Sequence, residues 1–280
     1  MKQIHWFPGH MKKAQIEIQE KIKIVDLVIE LLDARIPLSS RNPILFELSK
    51  SKSRLVVLTK NDLADPKVTD EWIKFFKSSG FEAIFADLNK EKGVKNIIKT
   101  AEKMSENKAQ KYISKGMKPQ PIRAMIIGIP NVGKSTLINK IANRKAASVE
   151  NKPGHTKAQQ WIKVSDKFQL LDTPGILPSS YEDKMVATNL ALVGSIAEDI
   201  LPSDELCNYV LNYFKEFYPN NLIERYPYIS LELANEEIIS QIANKRGYFT
   251  KNGVDVYKCQ RVLLNELKNG VLGQISFERP

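Results

Sequence analysis

The order of apolar and polar positions predicts alternating strands and helices in the first part of the chain. Buried strands are predicted for the apolar runs 25–33, 54–59 and 82–87. Between them, residues 42–50 and 70–80 carry apolar side chains at the spacing of one helix face. Because strands that alternate with helices pair in parallel, the pattern predicts a parallel sheet with helices on both faces.

The same alternation resumes after a polar, basic segment at residues 106–121, which ends near two prolines and is predicted to be a connector. Beyond it, a strand is predicted at 122–128 and a helix at 134–143. Two short strands then form a hairpin-like pair that ends at Asp172, and another helix is predicted at 185–200. The second part therefore continues the α/β pattern.

The last part of the chain, from Ser203 onward, shows helical signals. Ser203 is predicted to cap a helix, and the two acidic residues after it are typical of a first helical turn. Gly247 and Gly270 follow apolar stripes and are typical of helix ends. We therefore expect two domains, an α/β domain over residues 1–201 and a small all-helical domain over residues 202–280.

Composition is that of a globular protein, because 42% of the 280 residues are hydrophobic and 26% are charged. No run approaches the roughly 18 apolar residues of a membrane span, so no membrane partner is expected. The first residues lack the apolar core of a signal peptide. Cys207 and Cys259 are far apart and are predicted to be reduced core thiols. These features together predict a cytoplasmic protein.

The net charge of +10 is unevenly distributed along the chain. Residues 1–24 carry five lysines and two acids, residues 99–123 seven basic residues and two acids, and residues 134–167 eight and two. Residues 203–280 are close to neutral, with nine basic and ten acidic residues. Such blocks favour a phosphate-rich partner such as RNA or DNA, although solvated lysine-rich faces explain the same blocks.

A phosphate-binding loop is predicted at GIPNVGKS, residues 128–135, which matches G-x-x-x-x-G-K-[ST] between a strand and a helix. Gly128 and Gly133 let backbone N–H groups turn toward a phosphate at the helix start. Lys134 can place its ammonium on the outer phosphates, and the Ser135 hydroxyl can bind Mg²⁺. The predicted nucleotide-binding set also includes the loop neighbours Pro130, Asn131, Val132 and Thr136.

Two further loops follow the phosphate loop, PGHT at 153–156 and LLDTPG at 170–175. Asp172 is expected to reach Mg²⁺ through water, and Thr156 is a further candidate metal ligand. The Gly175 N–H is expected to sense the terminal phosphate. Each motif is weak alone, but in this order they predict a switch whose loops become ordered on the terminal phosphate.

A base-reading loop is predicted at TKND, residues 59–62, directly after the strand 54–59. One carboxylate, that of Asp62, can accept from the ring N–H and the amino group of guanine, and adenine offers no such pair of donors. Lys60 can lay its methylenes along the base. The usual first residue is Asn, and Thr59 lacks the amide, which predicts a weaker link to the phosphate loop. The nucleotide-binding set includes Asn61, Ala86 and Asp87 as well.

The base-reading loop comes before the phosphate loop, whereas ordinary nucleotide switches have the opposite order. A sheet does not depend on the order in which its strands are connected, so joining the old chain ends and opening another surface loop preserves the pocket. The joint is predicted at about residues 105–121. The motifs thus predict a circularly permuted GTPase with a Rossmann-like P-loop domain, which uses GTP, GDP and Mg²⁺.

With these motifs the sequence resembles ribosome biogenesis GTPase A, a family of permuted bacterial GTPases of large-subunit assembly. The matching stretches are WFPGHM (6–11), TKND, GIPNVGKS, PGHT, LLDTPGIL and the ending IANKRG…LGQISFE, which together span essentially the whole chain. The resemblance implies a helical C-terminal domain suited to RNA and action on an immature large ribosomal subunit. It also implies that this particle stimulates GTP hydrolysis.

Ile176 follows DTPG, where many GTPases carry the Gln that orients the attacking water, so slow hydrolysis by the isolated chain is expected. The resemblance points to His10 as a replacement, and the alternative role of His10 is a hydrogen bond that stabilises the Pro8–Gly9 turn. Asn131 resembles the Asn that binds K⁺ in potassium-stimulated GTPases, or it fixes the loop. The candidate catalytic residues are His10, Lys134, Thr156 and Gly175.

The predicted function is a GTP-hydrolysing switch in late assembly of the large ribosomal subunit, with rRNA contacts on both domains. The rival prediction is a regulatory GTPase that acts on a protein or membrane partner without RNA; such a protein would lack salt-sensitive RNA affinity. We expect a monomer in solution.

Overall fold

The computed structural model describes residues 4–5, 8–114, 116–118, 120–146, 161–171, 180–181, 183–197 and 200–280. For residues 4–5, 8–15, 107–109, 111–112, 143–146 and 180–181 it describes the backbone alone. Within these ranges no helix is both long and apolar enough to cross a membrane.

Strands and helices have the following bounds. The strands are β1 (Ile4–His5), β2 (Leu27–Asp33), β3 (Ser53–Thr59), β4 (Glu82–Ala86), β5 (Ile122–Ile127), β6 (Trp161–Ser165), β7 (Phe168–Leu171), β8 (Ser180–Tyr181), β9 (Phe249–Thr250) and β10 (Gly253–Val254). The helices are α1 (Pro8–Lys23), α2 (Pro43–Leu48), α3 (Pro66–Ser78), α4 (Glu91–Ile113), α5 (Lys134–Ala146), α6 (Lys184–Leu192), α7 (Ser203–Phe217), α8 (Pro219–Arg225), α9 (Asn235–Lys245) and α10 (Val256–Lys268).

A six-stranded sheet with the order β4-β3-β2-β5-β7-β6 forms the centre of the molecule. All neighbouring strands are parallel except β6, which pairs antiparallel with β7. The predicted parallel sheet is therefore confirmed. Strand β2 lies between β3 and β5, so the ends of the base-reading strand and the phosphate-loop strand meet at one edge. The base-reading strand β3 thus precedes the phosphate-loop strand β5 in the chain while both belong to one parallel sheet, as the permuted motif order predicts.

Helices cover both faces of this sheet. Successive residues of a strand point to opposite faces, and the apolar side chains on each face are buried by helices. On β2, Val28 packs with residues of α1 and α2, and Leu32 with residues of α3. Leu27, Ile29 and Leu31 point the other way and pack with residues of α4, α5 and α6. The two-sided packing explains why the strands are near-continuous apolar runs.

Two helices differ in length from the prediction. Helix α4 continues to Ile113 and includes half of the segment predicted to be a connector, so that prediction is wrong for residues 106–113. The described Glu106 and Gln110 are exposed, while Ile97 and Ala101 earlier in the same helix are buried. Helix α6 stops at Leu192 instead of continuing to residue 200. Gly194 has a φ of 74° and its N–H bonds to the Ala191 carbonyl, which ends the helix.

The region after residue 202 is helical, with a short β9–β10 hairpin that the sequence pattern did not predict. Helix α7 begins at Ser203 itself, and Pro202 takes the cap position with no capping side chain among the described residues, so the predicted cap at Ser203 is wrong. Cys207 and Cys259 are buried thiols and are not joined in a disulfide, as predicted. One continuous hydrophobic core runs from the sheet into α7, α9 and α10. The domain boundary between residues 201 and 202 therefore stays a prediction.

Candidate functional site

The base-reading loop and the phosphate loop are joined by the side chain of Thr59. Thr59 ends β3 and is fully buried. Its hydroxyl oxygen lies 2.8 Å from the Val132 carbonyl oxygen in the phosphate loop and 3.1 Å from the Leu32 carbonyl oxygen in β2. A hydroxyl has one proton to share between these acceptors, whereas an Asn amide has two. The link predicted from the motif is present, and its weakness relative to Asn stays a prediction.

The backbone of the phosphate loop passes too close to its neighbours for side chains at two glycines. A Cβ on Gly128 would lie 2.7 Å from the Leu31 carbonyl oxygen, and one on Gly133 would lie 2.6 Å from a Leu88 methyl carbon. Gly133 also has a φ of 101°, which glycine adopts readily. These two residues are therefore required by the loop geometry itself.

Asn131 links the phosphate loop to the segment that follows α6. It has a φ of 63°, and its Nδ2 donates to the Gly194 carbonyl oxygen at 2.8 Å. That carbonyl directly follows α6, so the contact connects the loop to the helix beyond the DTPG segment. Because the amide nitrogen is used in this bond, Oδ1 is the atom of Asn131 that a cation would contact.

Lys134 lies at the start of α5 with only 7% of its surface exposed, and its ammonium donates to the Ile129 carbonyl oxygen within the loop. Burial lowers the pKa of Lys134 from 10.5 to about 8, because the charged form is poorly solvated there. A bound phosphate would supply the opposite charge and favour the ammonium. Ser135 and Thr136 follow and are exposed in the first turn of the helix.

We expect nucleotide affinity to fall as pH rises through the pKa of Lys134. Since that pKa is about 8 in the free protein, neutral Lys134 accumulates above pH 8 and must take up a proton when phosphate binds. The dissociation constant of GDP should rise about tenfold between pH 7 and pH 9. Calorimetric titrations at pH 9 in two buffers of different ionisation enthalpy should show uptake of nearly one proton.

Lys134→Arg is the control for this pH series, because a guanidinium stays charged throughout it. Titration of the guanine base is common to both proteins and cancels in the comparison. If the dissociation constant of GDP rises equally with pH for the variant and the natural protein, the pH dependence does not come from Lys134.

Lys60 is held beside the base-reading loop by a carboxylate that belongs to none of the sequence motifs. Its ammonium lies 3.3 Å from Oδ2 of Asp33, which ends β2 and is fully buried. Arg35 donates to both oxygens of Asp33, at 3.0 Å from Nε and 2.8 Å from a terminal nitrogen. Burial alone would raise the pKa of Asp33, but the two cations and these bonds hold it below 3.8. The only sequence signal was its place at the end of the predicted buried strand 25–33.

Asp62 presents an exposed side chain at the far end of the same loop. Its neighbour Asn61 has a buried Oδ1 with no hydrogen-bond partner in the described part of the chain. Asn61 and Asp87 line two adjoining clefts of about 520 and 310 Å³, and Ala86 lines the larger one. The base-reading residues predicted from β3 and β4 therefore lie together at the carboxyl edge of the sheet.

Some predicted site residues lie outside the described residues, namely Thr156, Asp172 and Gly175, together with Ile176. For His10 the backbone alone is described, and it lies in the first turn of α1 together with Pro8 and Gly9. Among the described residues no group of three or more His, Cys, Asp or Glu side chains is placed to hold a metal ion.

Comparisons with known proteins agree with this geometry. A family model described as "50S ribosome-binding GTPase" matches residues 123–225. Ribosome biogenesis GTPase A of Bacillus cereus is 45% identical over 278 residues, which cover 99% of this chain and 94% of that protein. The Thermotoga maritima protein of the same name is 31% identical and covers 98% of this chain and 94% of its own length.

Two solved structures of YlqF are similar to this chain. The GDP-bound structure has a TM-score of 0.70 and 28% identity, and the match covers 94% of this chain and 99% of that one. The GNP-bound structure from T. maritima has a TM-score of 0.66 and 28% identity, and covers 96% and 98%.

Proposed function

Since the chain belongs to the ribosome biogenesis GTPase A family and is therefore a GTP-hydrolysing enzyme of ribosome assembly, we propose that it acts as a switch late in assembly of the large ribosomal subunit. The structural observation that supports one shared nucleotide site is the hydrogen bond from the Thr59 hydroxyl to the Val132 carbonyl oxygen. It joins a base-reading loop to a phosphate loop, so one bound nucleotide can contact both.

In the proposed site, the phosphate-loop N–H groups and the Lys134 ammonium bind the outer phosphates of GTP. Ser135, Thr156 and Asp172 would hold Mg²⁺. The exposed Ser135 hydroxyl at the start of α5 fits this role, because hard oxygen ligands suit Mg²⁺. When bound, Mg²⁺ neutralises charge that develops on the transferred phosphate. The Gly175 N–H would contact the terminal phosphate.

His10 is our candidate for positioning the attacking water, since a neutral imidazole can accept a hydrogen bond from it. Asn131 is the candidate K⁺ ligand through Oδ1, because its Nδ2 is bonded to Gly194. The alternative, that Asn131 only fixes the loop, uses the same bond. A rate of GTP hydrolysis that is equal in K⁺ and Na⁺ would favour this alternative.

A basic surface on α4 supports rRNA as the partner. Lys92, Lys95, Lys99 and Lys103 are exposed and follow one another at steps of three or four residues, so they lie on one helix face. Lys95 is paired with Glu91 at 2.9 Å. We name these four lysines the α4 lysine face. Phosphate groups of RNA would be attracted to it, and that attraction weakens as salt rises.

We place the protein in the cytoplasm, where such particles form, and propose no membrane partner.

We expect slow GTP turnover by the purified protein, raised at least about tenfold by large ribosomal subunits and unchanged by small ones. The reason is that the isolated chain lacks a Gln after DTPG, so an rRNA-bound conformation must complete the site. The measurement is phosphate release with each subunit. Reversing charge on the α4 lysine face, with Lys92→Glu and Lys99→Glu together, should lower the stimulation at GTP concentrations that saturate each variant, a condition required because both lysines line the 520 Å³ cleft beside Asn61.

The matched control is the double variant Lys74→Glu and Lys77→Glu, which makes the same charge change on exposed positions of α3. If both double variants lose stimulation equally, total charge matters and the α4 lysine face is not the contact. If no subunit stimulates turnover although GTP binds, the rival regulatory GTPase with a protein or membrane partner is favoured.

A further inference from the structure

We propose that residues 273–278, here named the C-terminal tail, position the base-reading loop and thereby set the preference for guanine. The proposal rests on the proposed role of Asp62 as the residue that reads the base. It assigns Gln274 and Ser276 as positioning residues that act through the backbone of this loop.

The C-terminal tail is hydrogen-bonded along the base-reading loop. Nε2 of Gln274 donates to the Asp62 carbonyl oxygen at 3.1 Å. The Ile275 N–H donates to the Leu63 carbonyl oxygen at 3.0 Å. These two hydrogen bonds join residues that are 212 positions apart in the sequence. They are made to the carbonyl groups of Asp62, whose carboxylate is proposed to read the base, and of the next residue, Leu63.

A third bond continues this contact into the start of α3. The Asp65 N–H donates to the Ser276 hydroxyl oxygen at 3.2 Å, and Ser276 is fully buried. Asp65 also caps α3, because its Oδ1 accepts from the Lys67 N–H at 2.9 Å. The loop is therefore held by the tail up to the helix that follows it.

The tail is itself fixed by two tyrosines of the helical region. The Ser276 N–H donates to the Tyr218 hydroxyl oxygen at 3.1 Å, and the Tyr213 hydroxyl donates to the Ser276 carbonyl oxygen at 2.8 Å. The Tyr218 hydroxyl in turn donates to Oδ2 of Asp65 at 3.2 Å. Helix α7 and its end thus hold the tail against the loop.

At its far end the tail holds the loop after β2, which begins directly beyond Asp33 and includes Arg35. The Phe277 N–H donates to the Arg35 carbonyl oxygen at 2.8 Å. The Glu278 carboxylate accepts from the N–H groups of Leu38 at 2.6 Å and Ser39 at 3.0 Å. Because Asp33 binds Lys60, both Lys60 and Asp62 are supported by the same tail.

The geometry gives the tail a defined role in recognition. Thr59 anchors the start of the base-reading loop to the phosphate loop, and the tail anchors its end. The Asp62 side chain is exposed, so the position of its carboxylate depends on the backbone that carries it. A small displacement would weaken two hydrogen bonds to guanine and leave the phosphate contacts unchanged.

The test uses the full-length protein and two nucleotides that differ by one amino group, GDP and IDP. Inosine lacks the 2-amino group, so the ratio of the two affinities reports how well Asp62 is placed. In the double variant Gln274→Ala and Ser276→Ala we expect GDP affinity to fall more than IDP affinity. The ratio of GDP affinity to IDP affinity should therefore be about threefold or more lower than in the natural protein. For GTP turnover we expect a higher KM with little change in kcat.

Asn221→Ala is the matched control. Its Nδ2 donates to the Leu272 carbonyl oxygen at 3.0 Å, so the control removes the same kind of bond just before the tail without touching the loop. The ratio of affinities should not change in this variant. Thermal unfolding of each protein checks folding, and the single variant Gln274→Ala, at an exposed position, replaces the double variant if the latter does not fold.

Each remaining outcome has a distinct meaning. If the natural protein binds GDP and IDP equally, the proposed reading of guanine by Asp62 is wrong. If it prefers GDP and the double variant keeps the same ratio, or loses affinity for both nucleotides equally, the tail only stabilises the fold and the inference is overturned.

Discussion

Replacing Lys134 by alanine is expected to lower the rate of GTP hydrolysis by a factor of about 10² to 10³. The ammonium lies in the phosphate loop, where burial strengthens its interaction with charge that develops on the transferred phosphate. The variant also loses the bond from the ammonium to the Ile129 carbonyl oxygen. Phosphate release in single turnover, at nucleotide concentrations that saturate the variant, separates the catalytic loss from weaker binding.

Lys140→Ala is the control for this experiment, because Lys140 lies on the same helix and donates to the Asn89 carbonyl oxygen at 2.8 Å outside the phosphate loop. It should retain turnover close to that of the natural protein. A Lys134→Ala rate within about threefold of the natural rate would mean that the ammonium does not stabilise the transition state.

Replacing Asp62 by asparagine is expected to lower GTP affinity by about 10²-fold to 10³-fold and to favour xanthosine triphosphate. An amide cannot accept from both the ring N–H and the amino group of guanine, and its NH₂ would face the guanine amino group. In xanthine a carbonyl oxygen replaces that amino group and accepts from the amide. Competition binding with both nucleotides measures the change.

Asp70→Asn is the matched control, since Asp70 is exposed and lines the same cleft as Asp62 without belonging to the base-reading loop. It should leave the preference for GTP over xanthosine triphosphate unchanged. If Asp62→Asn keeps normal GTP affinity, another group reads the base.

The bounds of several elements were predicted closely because their signals are local. The predicted strand 54–59 is β3 to within one residue, since a buried parallel strand is a continuous apolar run. The start of α5 at Lys134 was predicted correctly, because the glycine loop before it is recognised from eight consecutive residues. One local signal was wrong: residues 106–113 are mostly polar, as a connector is, yet they form the last part of α4.

The sequence by itself determined the α/β class, the phosphate loop and the early base-reading loop, since each depends on residues that are neighbours in the chain. Only the tertiary structure decided that β2 separates β3 from β5, that Thr59 bonds to Val132, that Asp33 holds Lys60, and that Gln274 supports Asp62. These contacts join residues between 27 and 212 positions apart. No periodicity encodes them, because they arise when separate elements pack into one core and their buried polar groups must find partners.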